Sequence, residues 1–243
     1  MPPSSSSTTA SVSASSSTRS SDGGCLLVLS PHCDDAVLGV GELLASRPGS
    51  VVVTIFAGRP PAGAPLTPWD AAAGFHEGDD VMGVRRAEDQ AALAVLGARA
   101  RWLPFHDAQY GGPLGADAIV GGVAAVVSAA RASAVAIPLG LFHDDHRTTH
   151  EAALRVARRR PELSWLLYAD ALYRRIPDVL ERRLAALAEA GAIVEPLPPV
   201  TGHASLKRRA IGCYRSQLQA LGTPGRPGIA DALAPEQYWR LRP

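Results

Sequence analysis

Short apolar runs alternating with helix-patterned stretches constrain this chain more than any other feature. Residues 25–30 and 51–56 are brief, aliphatic and in part β-branched. Such continuous apolar runs are typical of strands buried on both faces, as in parallel sheets. Between them Leu38, Leu43 and Leu44 keep helical spacing, and Pro48-Gly49 ends the helix. The alternation continues with a helix over 85–96 closed by Gly97, a strand over 101–105, a helix over 117–131 and a strand over 134–138. A capping-box pattern, Thr148-x-x-Glu151, predicts a helix through 159. A strand over 165–169, a helix over 178–190, a short strand over 193–196 and a closing helix over 206–221 complete the series. Repeated βα units with right-handed crossovers predict an α/β fold, with a mostly parallel, Rossmann-like sheet carrying helices on both faces.

Open sheets of this kind bind ligands at the C-terminal ends of their strands. Two clusters of chemically capable residues stand there. Ser30-Pro31-His32-Cys33-Asp34-Asp35 follows the first apolar run, and His143-Asp144-Asp145-His146 follows the run at 134–139. Together they read as two halves of one metal site. A catalytic zinc takes three protein ligands and keeps one position open for water, whose pKa falls from about 15.7 to about 7. A carboxylate outside the ligand set can accept the water proton, and an imidazole can stabilise the oxyanion or protonate the leaving group. His32 and His146 supply imidazole nitrogens. Asp34 and Asp35 are adjacent, so their side chains diverge: one can face the metal and the other the substrate. His143 remains for the acid role.

These motifs, in this order, resemble the LmbE-like (PIG-L) family of zinc-dependent N-acetylglucosaminyl deacetylases, which carry His-x-Asp-Asp early and His-x-Asp-His after a later strand. The resemblance implies His32, Asp35 and His146 as zinc ligands, Asp34 as general base, His143 as the group acting on the transition state and Asp145 as its tuning partner. It extends to Arg85-Arg86-Ala87-Glu88 and to Ser216-Gln217, covering roughly residues 25–242. It favours Arg85 over Arg86, and Asp107, as substrate contacts. Cys33, Ala36 and Asp144 depart from residues common in the family. Ala36 in place of Glu bears on support around the metal rather than on the metal itself, and Asp144 adds negative charge that favours a cation. Cys33 offers an extra soft ligand as the less favoured reading. A lone Cys33 reads as a small buried hydrophobe.

Other residues have plainer readings. The Pro/Gly-rich stretch 58–68, continued irregularly to 80, exceeds the about 12–15 residues usual for structureless loops. It reads as a cleft wall in which Trp69 and Phe75 offer apolar faces to a sugar. Arg85, at the start of the next helix, either reaches the same cleft or pairs with Glu88 or Asp89. His150 reads as solvent-exposed in a first helical turn. Gly39 and Gly41 fall inside the first helix and match no nucleotide fingerprint, which argues against a nucleotide binder.

Composition limits the remaining classes. A formal net charge of +1 over 243 residues gives no electrostatic case for nucleic acid or an anionic membrane. No apolar stretch approaches the about 20 residues of a transmembrane helix. Three cysteines without a disulfide pattern fit a reducing, cytoplasmic location. Residues 1–22 are nearly all Ser, Thr, Ala and Pro, the composition of a disordered tail, leaving 23–243 as one catalytic domain. The sequence therefore predicts a zinc-dependent hydrolase that removes an N-acetyl or other N-acyl group from an N-acetylglucosamine-type sugar or conjugate. An amidase for a non-sugar acyl amide and a non-catalytic metal-binding module are the alternatives.

Overall fold

The computed structural model describes residues 25–111 and 115–243. The Ser/Thr-rich tail expected at 1–22 lies outside them. A seven-stranded sheet of order β3-β2-β1-β4-β5-β7-β6 forms the centre. Its parallel strands are β1 (Leu26–Ser30), β2 (Val51–Thr54), β3 (Arg99–Trp102), β4 (Ala134–Pro138) and β5 (Ser164–Tyr168). Two antiparallel strands, β7 (Tyr238–Arg242) and β6 (Ile193–Leu197), extend the edge beyond β5. The expected mixed, mostly parallel α/β fold is therefore present. β7 was not anticipated: its alternation is short, and it sits against the chain end rather than between helices.

The sheet buries both faces, as its continuous apolar strands require. Leu27 and Leu29 join one core with α4 (Ala116–Ala130), α5 (Asp144–Ala157) and α6 (Val179–Glu189). Leu26 and Val28 point the other way, into a core with α1 (Asp35–Ala45), α3 (Val81–Val95) and α7 (Ala204–Ile211). Two further helices, α2 (Pro68–Ala72) and α8 (Arg215–Leu221), pack near the strand ends. Gly39 and Gly41 serve packing: a Cβ at either would come within 2.8 Å of Tyr168 or 2.7 Å of Lys207. No described helix is long and apolar enough to cross a membrane.

Local boundaries differ from expectation where caps decide them. The long loop contains α2, begun by Thr67, whose side chain accepts from the Asp70 N–H at 3.0 Å with Pro68 in the first turn. Asp80 caps α3 through the Gly83 N–H, so Arg85 lies in the second turn rather than at the helix start. α5 begins at Asp144, not at the capping-box Thr148, so His146 and His150 share one helix.

A kink at Val40 breaks the regular bonding of α1. The Glu236 carboxylate takes up the amides of Glu42 and Leu43 at 2.7 and 3.1 Å, and also binds Lys207 Nζ at 2.8 Å. Both members of this ion pair are buried. Glu236→Gln leaves the Lys207 ammonium buried without its counter-charge, and breaking such a pair costs about 3 kcal/mol or more. Urea unfolding of the variant should show a loss of that size; a change within experimental error would mean that the ammonium finds another partner.

Candidate metal centre and catalytic cleft

The strand order brings the two His/Asp motifs together. β1 and β4 are hydrogen-bonded neighbours, with Leu26 opposite Ala134 and Val28 opposite Ala136. From β1 the chain proceeds outward through β2 and β3, and from β4 it proceeds the opposite way to β5. This reversal opens a crevice at the strand ends. Residues 113 positions apart in sequence meet there: His32 Nε2 lies 3.0 Å from Asp145 Oδ2.

Local hydrogen bonds set each motif. The Ser30 hydroxyl donates to the His32 carbonyl at 2.6 Å and accepts from the Ala36 N–H at 3.0 Å. Asp35 opens α1 and accepts from the His32 N–H at 2.9 Å. His143 is the N-cap of α5, its Nδ1 accepting from the Asp145 N–H at 3.2 Å. That contact leaves the proton of a neutral ring on Nε2. Burial, His32 and His146 all lower the His143 pKa, favouring this neutral form.

Asp35 Oδ2 is the hub of the centre, 3.1 Å from His32 Nδ1 and 3.2 Å from His146 Nε2. Tetrahedral ligands bound at about 2.0–2.1 Å stand about 3.3 Å apart, so two nitrogens and one carboxylate oxygen at this spacing fit a divalent ion. Each imidazole is backed through its other nitrogen, His32 by Asp145 at 3.0 Å and His146 by Asp170 at 2.6 Å. Such carboxylates fix the orientation of ligand rings and raise their basicity.

The electrostatics follow the same division. Burial lowers the His32 pKa, but hydrogen bonds to Asp145 and Asp35 outweigh it and hold the ring well above its usual value. Burial likewise opposes charge on His146, yet Asp35 and Asp170 push it up to about 9. Asp35 resists its own burial and stays well below the carboxylate range because His146 and His32 face it. Asp34 goes the other way: burial and the adjacent Asp35 charge push it up to about 6. Among the described residues the Asp34 carboxylate has no side-chain hydrogen-bond partner.

A cleft of about 370 Å³ opens over the centre, lined by His32, Asp34, Asp35 and His143. Arg85, Asp107 and Trp69 line it too. Arg85 is buried and pairs with Asp70 at 2.6 Å rather than with Glu88 or Asp89. Glu88 instead accepts from the Ser216 N–H and hydroxyl, and Asp89 from Trp102 and Tyr214. Asp107 holds Gln109 through its N–H and side-chain amide and lies 3.9 Å from His32 Nε2. Trp69 Nε1 donates to Gln217 at 3.2 Å, and the Arg226 guanidinium stacks 4.8 Å from the Trp69 ring.

The charge of Asp145 raises the His143 pKa, and its backbone N–H donates to the His143 ring. Its carboxylate also serves His32 and the Ala108 N–H at 3.1 Å. One expectation needs correction. His150 is buried rather than exposed, because α5 starts earlier than expected, and its Nδ1 donates to the Pro138 carbonyl at 2.8 Å. Cys33 packs with Ala57 and Met82, the apolar role expected of it.

Asp170, Tyr173 and Arg226 escaped the sequence reading. Asp170 had a signal: it is the first polar residue after the apolar run at 165–169, the position His32 occupies after its own strand. Its role makes a direct prediction. Asp170→Asn should weaken metal affinity by about 10–100-fold. Chelator competition measures this; wild-type affinity would mean that His146 orients without its carboxylate.

The fold has known counterparts. A crystal structure of an A40926 pseudoaglycone deacetylase is 28% identical, with 90% of this chain and 98% of that one aligned at a TM-score of 0.72. A deacetylase of the teicoplanin biosynthetic pathway shares the fold at 23% identity, covering 89% and 97% of the two chains, with a TM-score of 0.73. The N,N'-diacetylchitobiose deacetylase from Pyrococcus horikoshii shares it at 19% identity, 80% and 70% coverage and a TM-score of 0.53. No curated protein matches significantly. A family model matches residues 27–157, which hold both His/Asp motifs and the strands that present them: the chain belongs to the PIG-L family, described as GlcNAc-PI de-N-acetylase.

Proposed function

We propose that this protein is a zinc-dependent N-deacetylase acting on an N-acetylated amino sugar of the N-acetylglucosamine type. The observation that carries the reading is the split between two adjacent carboxylates. Both line the cleft, but Asp35 is turned onto His32 and His146, while Asp34 has no side-chain partner among the described residues. His32, Asp35 and His146 would hold the ion, which when bound makes water acidic and polarises the amide carbonyl.

The chain's own residues divide the remaining work. Asp34, pushed up to about 6, is suited to take a proton from the attacking water near neutral pH. The water oxygen joins the carbonyl carbon, the carbon–nitrogen bond breaks, and the nitrogen takes a proton from Asp34, giving acetate and a free amine. His143 Nε2–H donates to the developing oxyanion. Arg85, Asp107 and Trp69 orient the sugar, with Asp145 keeping His32 in place. The three similar structures described above are deacetylases by name, whereas another at 17% identity is a 4-carboxy-2-hydroxymuconate hydratase. A non-catalytic metal module would need neither Asp34 nor His143. Three unpaired cysteines fit a cytoplasmic setting.

The substrate class is tested by measuring acetate release from N-acetylglucosamine and its glycosides beside N-acetylated amino acids and simple anilides. Faster turnover of the sugars supports the reading. Turnover confined to the non-sugar amides would replace it with a different amidase.

A further inference from the structure

Phe142 is held in an unfavourable place for a large apolar residue. Its φ is +57°, a region that bulky side chains rarely occupy, and the residue is 56% exposed. The His143 N–H donates to the Leu141 carbonyl at 2.6 Å, closing a tight three-residue turn around it. Positive-φ turns of this size are rare and strained. Phe142 belongs to neither of the two cores that flank the sheet. Strain and exposed apolar surface combined in one residue beside a reactive centre are a mark of function.

The ring's neighbours indicate what that function is. Phe142 lies 5.4 Å from the Tyr173 ring, and Tyr173 stacks on His143 at 6.3 Å with planes 21° apart. Tyr173 and His143 line the catalytic cleft, whereas Phe142 lines a separate concavity of about 280 Å³. The three rings thus form a continuous aromatic surface running from the reacting centre outward. A sugar in the cleft can bring its attached group onto this surface. Tilted or offset aromatic contacts favour a flat, apolar partner.

Building on the proposed sugar deacetylation, we infer that Phe142 and Tyr173 form a subsite for a planar, apolar aglycone, so that the preferred substrate is an aryl-bearing N-acetylamino glycoside rather than a free sugar. The occupant is the remainder of the same substrate, because Tyr173 lines the cleft and the exposed Phe142 ring lies 5.4 Å from it.

The test compares kcat/KM for 4-nitrophenyl N-acetylglucosaminide with that for the methyl glycoside, using the full chain loaded with zinc. Wild type should favour the aryl glycoside by about tenfold, the scale of one aromatic contact. Phe142→Gly and Phe142→Ala should bring the ratio close to one, and Phe142→Trp should restore it. The ratio is insensitive to a general loss from misplacing His143, which affects both substrates alike. A wild-type ratio near one, or a ratio that survives Phe142→Gly, overturns the subsite while leaving sugar deacetylation standing. Failure to release acetate from either glycoside removes both.

Discussion

Replacing Asp34 by Asn should lower turnover by about 100-fold or more while the protein keeps its metal, the loss usual for a general base. The expectation rests on geometry that separates this residue from its neighbour. Both carboxylates line the cleft, but Asp35 is engaged by both imidazoles at 3.1 and 3.2 Å, whereas Asp34 has no side-chain hydrogen-bond partner among the described residues. Asn at 34 preserves shape and cannot accept the proton. Asn at 35 instead removes the charged hub between two histidines, so the companion variant Asp35→Asn should lose metal first and activity as a consequence. Metal content and kcat measured on both variants distinguish the roles; metal loss in Asp34→Asn with retention in Asp35→Asn would exchange them.

His146→Ala should have the largest effect on the metal itself. The ring supplies one of three ligand atoms and is the point at which Asp170 acts on the centre. Its removal deletes a ligand, so the loss of affinity should exceed the about 10–100-fold typical of removing a supporting carboxylate. It also leaves Asp170 buried, with only the Leu141 N–H as its remaining partner. Elemental analysis of the purified variant should therefore find little bound ion and assays little turnover. Wild-type metal content in His146→Ala would show that the ion sits elsewhere, for instance among His32, His143 and Asp145, which also lie close enough to share one.

The parts of this account legible in the sequence are those with a strong local signal. Fully buried strands announce themselves as unbroken apolar runs, so β1, β2, β4 and β5 were found, and the motifs after β1 and β4 with them. Strand β3 alternates in exposure and starts earlier than expected, directly after the Gly97 turn. β7 is not legible because two arginines interrupt its apolar residues, so it lacks the unbroken apolar run of the other inner strands. Helix α5 was misplaced because a histidine ring, not a serine or threonine, caps it. That one boundary carried His150 from solvent into the core.

Pairings across the fold were the least legible. Asp145 sits two residues from His143, yet its carboxylate reaches His32, because the β1–β4 pairing brings a residue 113 positions away closer than a sequence neighbour. Arg85 finds Asp70 for a related reason: Asp70 lies on α2, a short helix within a stretch that reads as irregular loop. Such partners depend on topology, and residue spacing does not encode it. Asp170 is intermediate, marked by its place after a strand but given a role only by the distance to His146.

The central claim is that one ion held by His32, Asp35 and His146 supports amide hydrolysis with Asp34 as base. The most direct measurement is the stoichiometry of acetate and free amine released from an N-acetylglucosamine glycoside by one preparation, stripped with chelator and then titrated with zinc. The account predicts no release by stripped protein, and equal amounts of acetate and amine appearing in proportion to ion bound, up to one per chain. Undiminished release by fully stripped protein, or saturation with zinc without any acetate, would contradict it.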